Sequence, residues 1–475
     1  MLEAALRQYF GYQHFREGQQ DVIEAVMRGE DVIAVLPTGT GKSLCYQLPT
    51  KLLPHATLII SPLLSLMQDQ VDQLKRFGEK RVIALNSFLN RGEKQEVLQK
   101  LGQYEYIFTS PEMLQQPHVQ QALQHVKLSL IVVDEAHCLS QWGFDFRPDY
   151  LQLASVFDSL ARPGILALSA TATTQVLVDI KQYLQMRSPH ECIHSVDRPA
   201  IRLMRERFET AEQKLAWAFD YIRQAQGAGI FYTQSRAKCE QYAAVLVEQG
   251  VRIAYYHGGM ELYDRQLIQQ QFLQGQLDWI VATNAFGMGV HKDNIRHIMH
   301  ETLPQTMANY MQEIGRAGRD GQPAIAVLLY AQGDEERVHY IATEDLPQDA
   351  HVDAYDAHRQ GDVTQLVTNG WMTETQFRVL HYWMQQFSNI EMKHFIGQLR
   401  LQKREQIMAM QKMVDEQSCL RQVILHYFGQ TLQTTIEQCC SNCGATYQLP
   451  AFEEPVVGLT IDASWQKRLL AIFPQ

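Results

Sequence analysis

Short apolar runs rich in β-branched side chains recur along the first two-thirds of the chain, at Val32 to Leu36, Thr57 to Ser61, Arg81 to Leu85, Tyr106 to Thr109, Leu128 to Asp134 and Ile165 to Leu168. Runs this short, with little alternation, predict strands buried on both faces, and the amphipathic stretches between them predict covering helices. After a polar break at Asp197-Arg198-Pro199 a second series begins, at Ile201 to Met204, Gly229 to Tyr232, Ile253 to Tyr256, Trp279 to Ala282, His297 to His300 and Ile325 to Leu329. Strands alternating with helices predict parallel sheets, hence two α/β domains over residues 1–200 and 201–340.

Past about residue 335 the strand-like runs fade, and Ile396, Leu399, Ile407, Met410, Val414 and Ile424 fall at helical spacing. A mainly helical region over 341–447 is expected, with a tail over 448–475 that carries Pro450 and Pro455. Within it, Trp371, Phe377, Leu380, Tyr382 and Trp383 predict a small inserted helical module between residues 350 and 398.

The 475 residues leave room for about three domains. The formal charge of −10 argues against a generally basic nucleic-acid coat protein and confines any nucleic-acid contact to a local groove. The N-terminus lacks a cleavable signal pattern and no apolar run approaches the roughly 20 residues of a membrane span, so a cytoplasmic location without membrane contact is expected. Cys45, Cys138, Cys192, Cys239 and Cys419 are scattered, whereas the other three cysteines crowd into 439–443, a metal-site pattern rather than a disulfide framework.

Two segments carry the chemistry. In Thr38-Gly39-Thr40-Gly41-Lys42-Ser43, placed between a strand and an apolar helix, glycines let backbone N–H groups face phosphates, Lys42 can reach the β- and γ-phosphates, and Ser43 can ligate magnesium. The strict pattern has Gly where this chain has Leu36. A buried strand then delivers Asp134-Glu135-Ala136-His137 at its C-terminal end, where ligands of open α/β sheets bind. Asp134 would hold Mg²⁺ through water and Glu135 would orient or deprotonate the attacking water. In the second half, Gly315-Arg316-Ala317-Gly318-Arg319 offers paired arginines that would point the same way if they begin a helix, and an arginine crossing a domain cleft can neutralise charge on the γ-phosphate.

In order and spacing these segments resemble the RecQ-type DNA helicases of superfamily 2, from residue 1 to about 335 and again around 419–443. The resemblance implies two tandem RecA-like domains, ATP and Mg²⁺ as cofactors, and 3′ to 5′ movement on single-stranded DNA. Gly11-Tyr12-Gln13-His14-Phe15-Arg16-Glu17-Gly18-Gln19 is similar to motif 0, which implies that Tyr12 stacks on adenine while Arg16 and Gln19 read its edge. Segments beginning at Ser61 and Ser110 resemble DNA-backbone-holding motifs, although both serines could equally cap helices. Trp142, Phe146 and Arg147 belong to a stretch similar to the aromatic-rich loop peculiar to RecQ proteins, which would let DNA binding speak to hydrolysis. Leu168 to Thr173 resembles motif III. Tyr232 to Arg236, with Ser235 and Arg236, resembles motif IV; His257-Gly258-Gly259-Met260 resembles a further DNA-facing loop; Ala282 to Val290, including Thr283 and Gly287, with His291 and Lys292 resembles motif V. The partners implied are single-stranded and tailed or forked DNA, with single-stranded-DNA-binding or other repair proteins as candidates, and the protein is expected to be a monomer.

Two departures from the pattern stand out. Family members with a zinc site present four cysteines; Cys419, Cys440 and Cys443 fit three of those positions, and Thr446 occupies the fourth. A closed zinc site wants four ligands, so zinc and a metal-free remnant both stay open, with Cys439 and His426 as substitutes. The chain also ends at Gln475, so a short form without winged-helix and helicase-and-RNaseD-like domains is expected.

Overall fold

The structure, a computed structural model, describes residues 2–450 apart from 63, 87–88, 142–147, 288–291, 360, 433 and 435. Its first half is a seven-stranded sheet of β1 (Val32–Val35), β2 (Ala56–Ile60), β3 (Val82–Leu85), β4 (Tyr106–Thr109), β5 (Leu128–Val133), β6 (Gly164–Ser169) and β7 (His190–Ile193). They run in the order β3-β4-β2-β5-β6-β1-β7, every pairing parallel. The second sheet holds β8 (Ile201–Phe208), β9 (Ala228–Tyr232), β10 (Ile253–Tyr256), β11 (Trp279–Ala282), β12 (Ile295–His300) and β13 (Ala324–Ala331), also all parallel, in the order β10-β11-β9-β12-β13-β8.

The strands are apolar throughout because both faces of each sheet are covered. In β1, Ile33 and Val35 enter one core while Val32 and Ala34 enter the core on the opposite face. Each such buried Val or Ile side chain stabilises the fold by about 1.5–3 kcal/mol. All the apolar runs read from the sequence lie on strands; β7 is additional. It escapes an apolar-run search because it is an edge strand, His-Glu-Cys-Ile, with only Cys192 buried.

The third region splits between two cores. The 27-residue helix Asn389–Asp415, started by a capping box between Ser388 and Glu391, belongs to both. Its first half, with Met392 and Ile396, packs with Tyr355, Leu380 and Trp383 into a separate core that also touches Leu151 of the first half of the chain. Its second half, with Ile407, Met410 and Val414, joins the helix Leu420–Tyr427 inside the core of the second sheet. Among the described residues no helix is long and apolar enough to cross a membrane.

Candidate functional site

The C-terminal ends of β1, β6 and β5 stand side by side, and each carries one part of a polar site. After β1, the loop 37–43 turns through positive φ at Gly39 (86°) and Gly41 (75°), a region that glycine occupies without strain. Its carbonyls are tied from upstream: Gln19 Nε2 donates to Thr40 O at 2.7 Å and Gly41 O at 3.1 Å, and Arg16 Nη1 donates to Gly39 O. Gln19 is buried, whereas Tyr12 is half exposed at the rim of the same cleft. Arg16 and Gln19 line the same cleft and also hold the loop. Lys42 Nζ rests on Leu36 O at 3.4 Å. Ser43 sits at the start of the helix Leu44–Leu52 without using its hydroxyl as a cap, which leaves that oxygen to serve as a ligand.

After β5, Asp134 Oδ1 accepts from Glu135 N at 3.0 Å, and Glu135 has φ 50°, a conformation costing a non-glycine residue roughly 1–3 kcal/mol that is retained where surroundings over-determine it. Burial, then the Glu135 charge, push the Asp134 carboxyl up to about 7, against the opposing pull of Lys42. Glu135 Oε2 is buried, accepts no hydrogen bond, and lies 3.4 Å from His137 Nδ1. Burial holds the His137 imidazole below its usual range. His137 Nδ1 meets Ser169 Oγ at 3.1 Å, and Ser169 Oγ donates to Thr171 O at 2.6 Å, so the acidic box is tied to the loop after β6.

The second sheet closes the cleft. The helix Met307–Ile314 ends before the arginines, so the condition under which they would point the same way, the start of a helix, is not met; Arg316 and Arg319 lie in the turns that follow it. Both still line the cleft with Lys42, Asp134 and Glu135. Arg316 Nη1 donates to Gly287 O, and a Cβ on Gly287 would fall 2.3 Å from the Arg316 Cζ atom. Thr38 Oγ1 donates to Gly315 O at 2.9 Å, and Arg319 Cγ would be 3.0 Å from a Cβ on Gly39. Burial, with the neighbouring Arg316 and Arg198 charges, lowers Arg319 to about 10. Cations crowded against an unsatisfied buried carboxylate make a site whose chemistry fits a nucleoside triphosphate with a divalent cation.

The nucleic-acid candidates occupy the other half of each sheet. Ser61 and Ser110 follow the neighbouring strands β2 and β4; Ser110 caps a helix through Met113 N at 3.3 Å, whereas Ser61 Oγ is buried without a hydrogen-bond partner. Ser235, His257 and Thr283 follow β9, β10 and β11, which are adjacent in the second sheet. Ser235 caps the helix Arg236–Glu248, on which Arg236 is exposed. His257 is buried against Glu240 at 2.9 Å, and Thr283 Oγ1 accepts from Ala285 N at 3.4 Å. Trp142, Phe146 and Arg147 lie outside the described residues.

At the far end of the second core, Cys419, Cys440 and Cys443 come together with a fourth thiol, that of Cys439. The four Sγ atoms lie within 4.8 Å of one another, and Cys419 and Cys439 are 3.4 Å apart. A tetrahedron of Zn–S bonds near 2.3 Å has edges of about 3.8 Å, so the four sulfurs fit zinc. Burial raises the Cys440 thiol, but backbone N–H donors and the Cys443 side chain outweigh it and bring it below its ordinary value, while Cys439 is pushed up to about 11 by burial and its neighbours. Crowded thiols that resist a second negative charge are what a divalent cation relieves. The Thr446 position is therefore not the missing corner: its carbonyl accepts from Arg202 at 3.2 Å, and neither it nor His426 is in the cluster. Two successive residues can supply two ligands because Cys440 starts the single 3₁₀ turn Ser441–Cys443 while Cys439 bonds back to Leu203 N at 3.0 Å. No motif marks Arg198 in the sequence; its place in a polar break between two strand series is the signal it offers.

Profiles of three families match in chain order: DEAD/DEAH box helicase over residues 16–180, helicase conserved C-terminal domain over 213–321, and RecQ zinc-binding over 383–444. The chain is 43% identical over 468 residues to a probable ATP-dependent DNA helicase RecS of Bacillus subtilis, covering 95% of this chain and 93% of that one. It is 35% identical to the ATP-dependent DNA helicase RecQ of Synechocystis, covering 93% of this chain and 98% of that protein, whereas it spans 62% of the Haemophilus influenzae RecQ, at 37% identity. Among solved structures, Saccharomyces cerevisiae Dbp5 bound to RNA and ADP-BeF3 superposes with a TM-score of 0.59 at 17% identity (72% of this chain, 90% of that one), and the helicase MrfA bound to DNA with 0.59 at 20% (72% and 52%), likenesses of fold. With two tandem RecA-like sheets, the cysteine module and near-full-length relatives in agreement, the chain belongs to the RecQ family of superfamily 2 helicases.

Proposed function

We propose that this protein is an ATP-dependent DNA helicase that moves 3′ to 5′ along single-stranded DNA and acts on tailed or forked duplexes in repair or recombination. The observation that carries the reading is the cleft in which Lys42, Asp134 and Glu135 of one sheet face Arg316 and Arg319 of the other. Tyr12 and the loop 38–43 would hold ATP, and Ser43 and Asp134 would hold Mg²⁺, which supplies charge neutralisation at the phosphates when bound. Glu135, whose buried Oε2 accepts no hydrogen bond, is suited to take a proton from the attacking water. Arg316 or Arg319 would meet the γ-phosphate. Ser61, Ser110, Arg236 and Thr283, at strand ends remote from β1, would follow the DNA backbone, so that opening and closing of the cleft alternates the grip of the two halves. Cys419, Cys439, Cys440 and Cys443 would hold zinc as a structural tie, and the boundaries near residues 200 and 340 would separate motor from helical region.

Strand displacement tests this directly, on a short duplex with a 3′ tail, a 5′ tail or blunt ends, with ATP and Mg²⁺. Separation of the 3′-tailed substrate alone is expected. Hydrolysis stimulated by single-stranded DNA without separation of any substrate would replace the helicase with a translocase.

A further inference from the structure

The two sheets are joined by the segment between Ile193 and Ile201, and the Arg198 side chain of that segment reaches both loops that face the cleft. Arg198 Nη1 donates to Thr38 O at 2.9 Å, to Thr38 Oγ1 at 3.4 Å and to Gly315 O at 2.7 Å; its Nη2 donates to Ala317 O at 2.9 Å and Gly318 O at 3.2 Å. One guanidinium therefore binds the phosphate loop and the arginine loop together. Its acceptors on the second loop bracket Arg316 on both sides and immediately precede Arg319.

Arg198 is itself held from the C-terminal region. Asp197 Oδ1 accepts from Arg198 N at 2.8 Å and pairs with Arg421 Nη1, while Arg421 Nη2 donates to Ile201 O at 2.5 Å. Arg421 is buried in the first turn of the helix Leu420–Tyr427, two residues after Cys419 of the sulfur cluster. The space among Asp197, Arg198, Ile314, Arg421 and Ile424 amounts to about 10 Å³, room for no more than a single water, so movement of one group displaces the next.

We propose that Arg198 is a positioning residue for ATP hydrolysis, holding the phosphate and arginine loops at one separation, and that Asp197 and Arg421 anchor it to the cysteine-bearing helical region. The inference rests on the ATPase reading above. A planar fork with fixed donors can serve carbonyls on two loops at once, which the compact ammonium of lysine cannot. The orientation of the cysteine region thereby feeds into the chemical step through three side chains.

The test compares wild type, Arg198→Ala, Arg198→Lys, Arg421→Ala and the double alanine variant, by steady-state ATP hydrolysis with a single-stranded oligonucleotide, binding of a fluorescent ATP analogue, and thermal unfolding. Arg198→Ala is expected to lower kcat by about tenfold or more, because the arginines lose their alignment, with analogue affinity changed by less than about threefold. Arg198→Lys should fail to restore kcat. Arg421→Ala should lower kcat in the same direction, and the double variant should fall no further than Arg198→Ala alone, since both act on one contact. If Arg421→Ala does not fold, Asp197→Asn takes its place in the cycle. An unaltered kcat in Arg198→Ala, recovery by lysine, or multiplicative losses in the double variant would overturn the inference while an active wild type leaves the ATPase reading standing. A wild type that does not hydrolyse ATP would overturn both.

Discussion

Gly315→Ala isolates the closure of the cleft from backbone conformation. Gly315 has φ −60° and ψ −5°, which alanine adopts freely, so any defect must come from contact. A Cβ there would lie 1.9 Å from Thr38 Oγ1 and 2.9 Å from Met311 O. The loops must part or turn, forfeiting the Thr38 Oγ1 bond to Gly315 O and the Arg198 bond to the same carbonyl. A neutral hydrogen bond contributes about 0.5–1.5 kcal/mol and a charged one about 1.5–3, together about 2–4.5 kcal/mol of alignment. Were all of it lost from the transition state, hydrolysis would slow by about 30- to 2,000-fold, and partial relaxation places the expected loss in kcat near 100-fold. DNA-stimulated ATP turnover is the assay, with kcat and KM separated. The companion is Thr38→Ala/Gly315→Ala: without the hydroxyl the nearest Thr38 atom stands 3.2 Å away, so the double variant should be more active than Gly315→Ala alone. A Gly315→Ala protein within about twofold of wild type, or a double variant no better than the single, would refute the reasoning.

Glu135→Gln should retain nucleotide binding and lose hydrolysis by about 100-fold or more, because the amide cannot take the proton; isothermal binding beside turnover checks both halves. Purified protein should carry one zinc per chain by elemental analysis; Cys439→Ser should reduce that content, and adding Thr446→Cys to it should not restore it, because position 446 lies outside the sulfur cluster. Burial holds the His297 imidazole down to about 4, between Tyr221 OH at 2.9 Å and Gln226 O at 2.8 Å. The unfolded chain, titrating near 6.5, gains its proton first as pH falls, so stability is lost between about pH 6.5 and 4, by about 3 kcal/mol for this group. Urea unfolding at pH 7 and 4.5 should show a smaller acid loss in His297→Gln than in wild type; equal losses would refute the assignment.

What was legible in the sequence was local. Strands buried on both faces must be apolar along their length, so all but one declared themselves; β7, an edge strand with Glu191 and Ile193 exposed, did not. The phosphate loop, the acidic box and the paired arginines were equally readable, because each function is packed into a few consecutive residues whose types the chemistry restricts. Tertiary structure decided what depends on separations in space. It placed Arg316 and Arg319 in turns against Gly287 and Gly39, assigned the fourth corner of the sulfur cluster to Cys439 rather than position 446, and gave Arg198 acceptors some 120 and 160 positions away in the chain. Periodicity and motif spacing record which groups are close along the backbone, whereas a guanidinium that spans two loops, or a sulfur that completes a tetrahedron, is selected only by the packing that brings distant segments within a few ångströms.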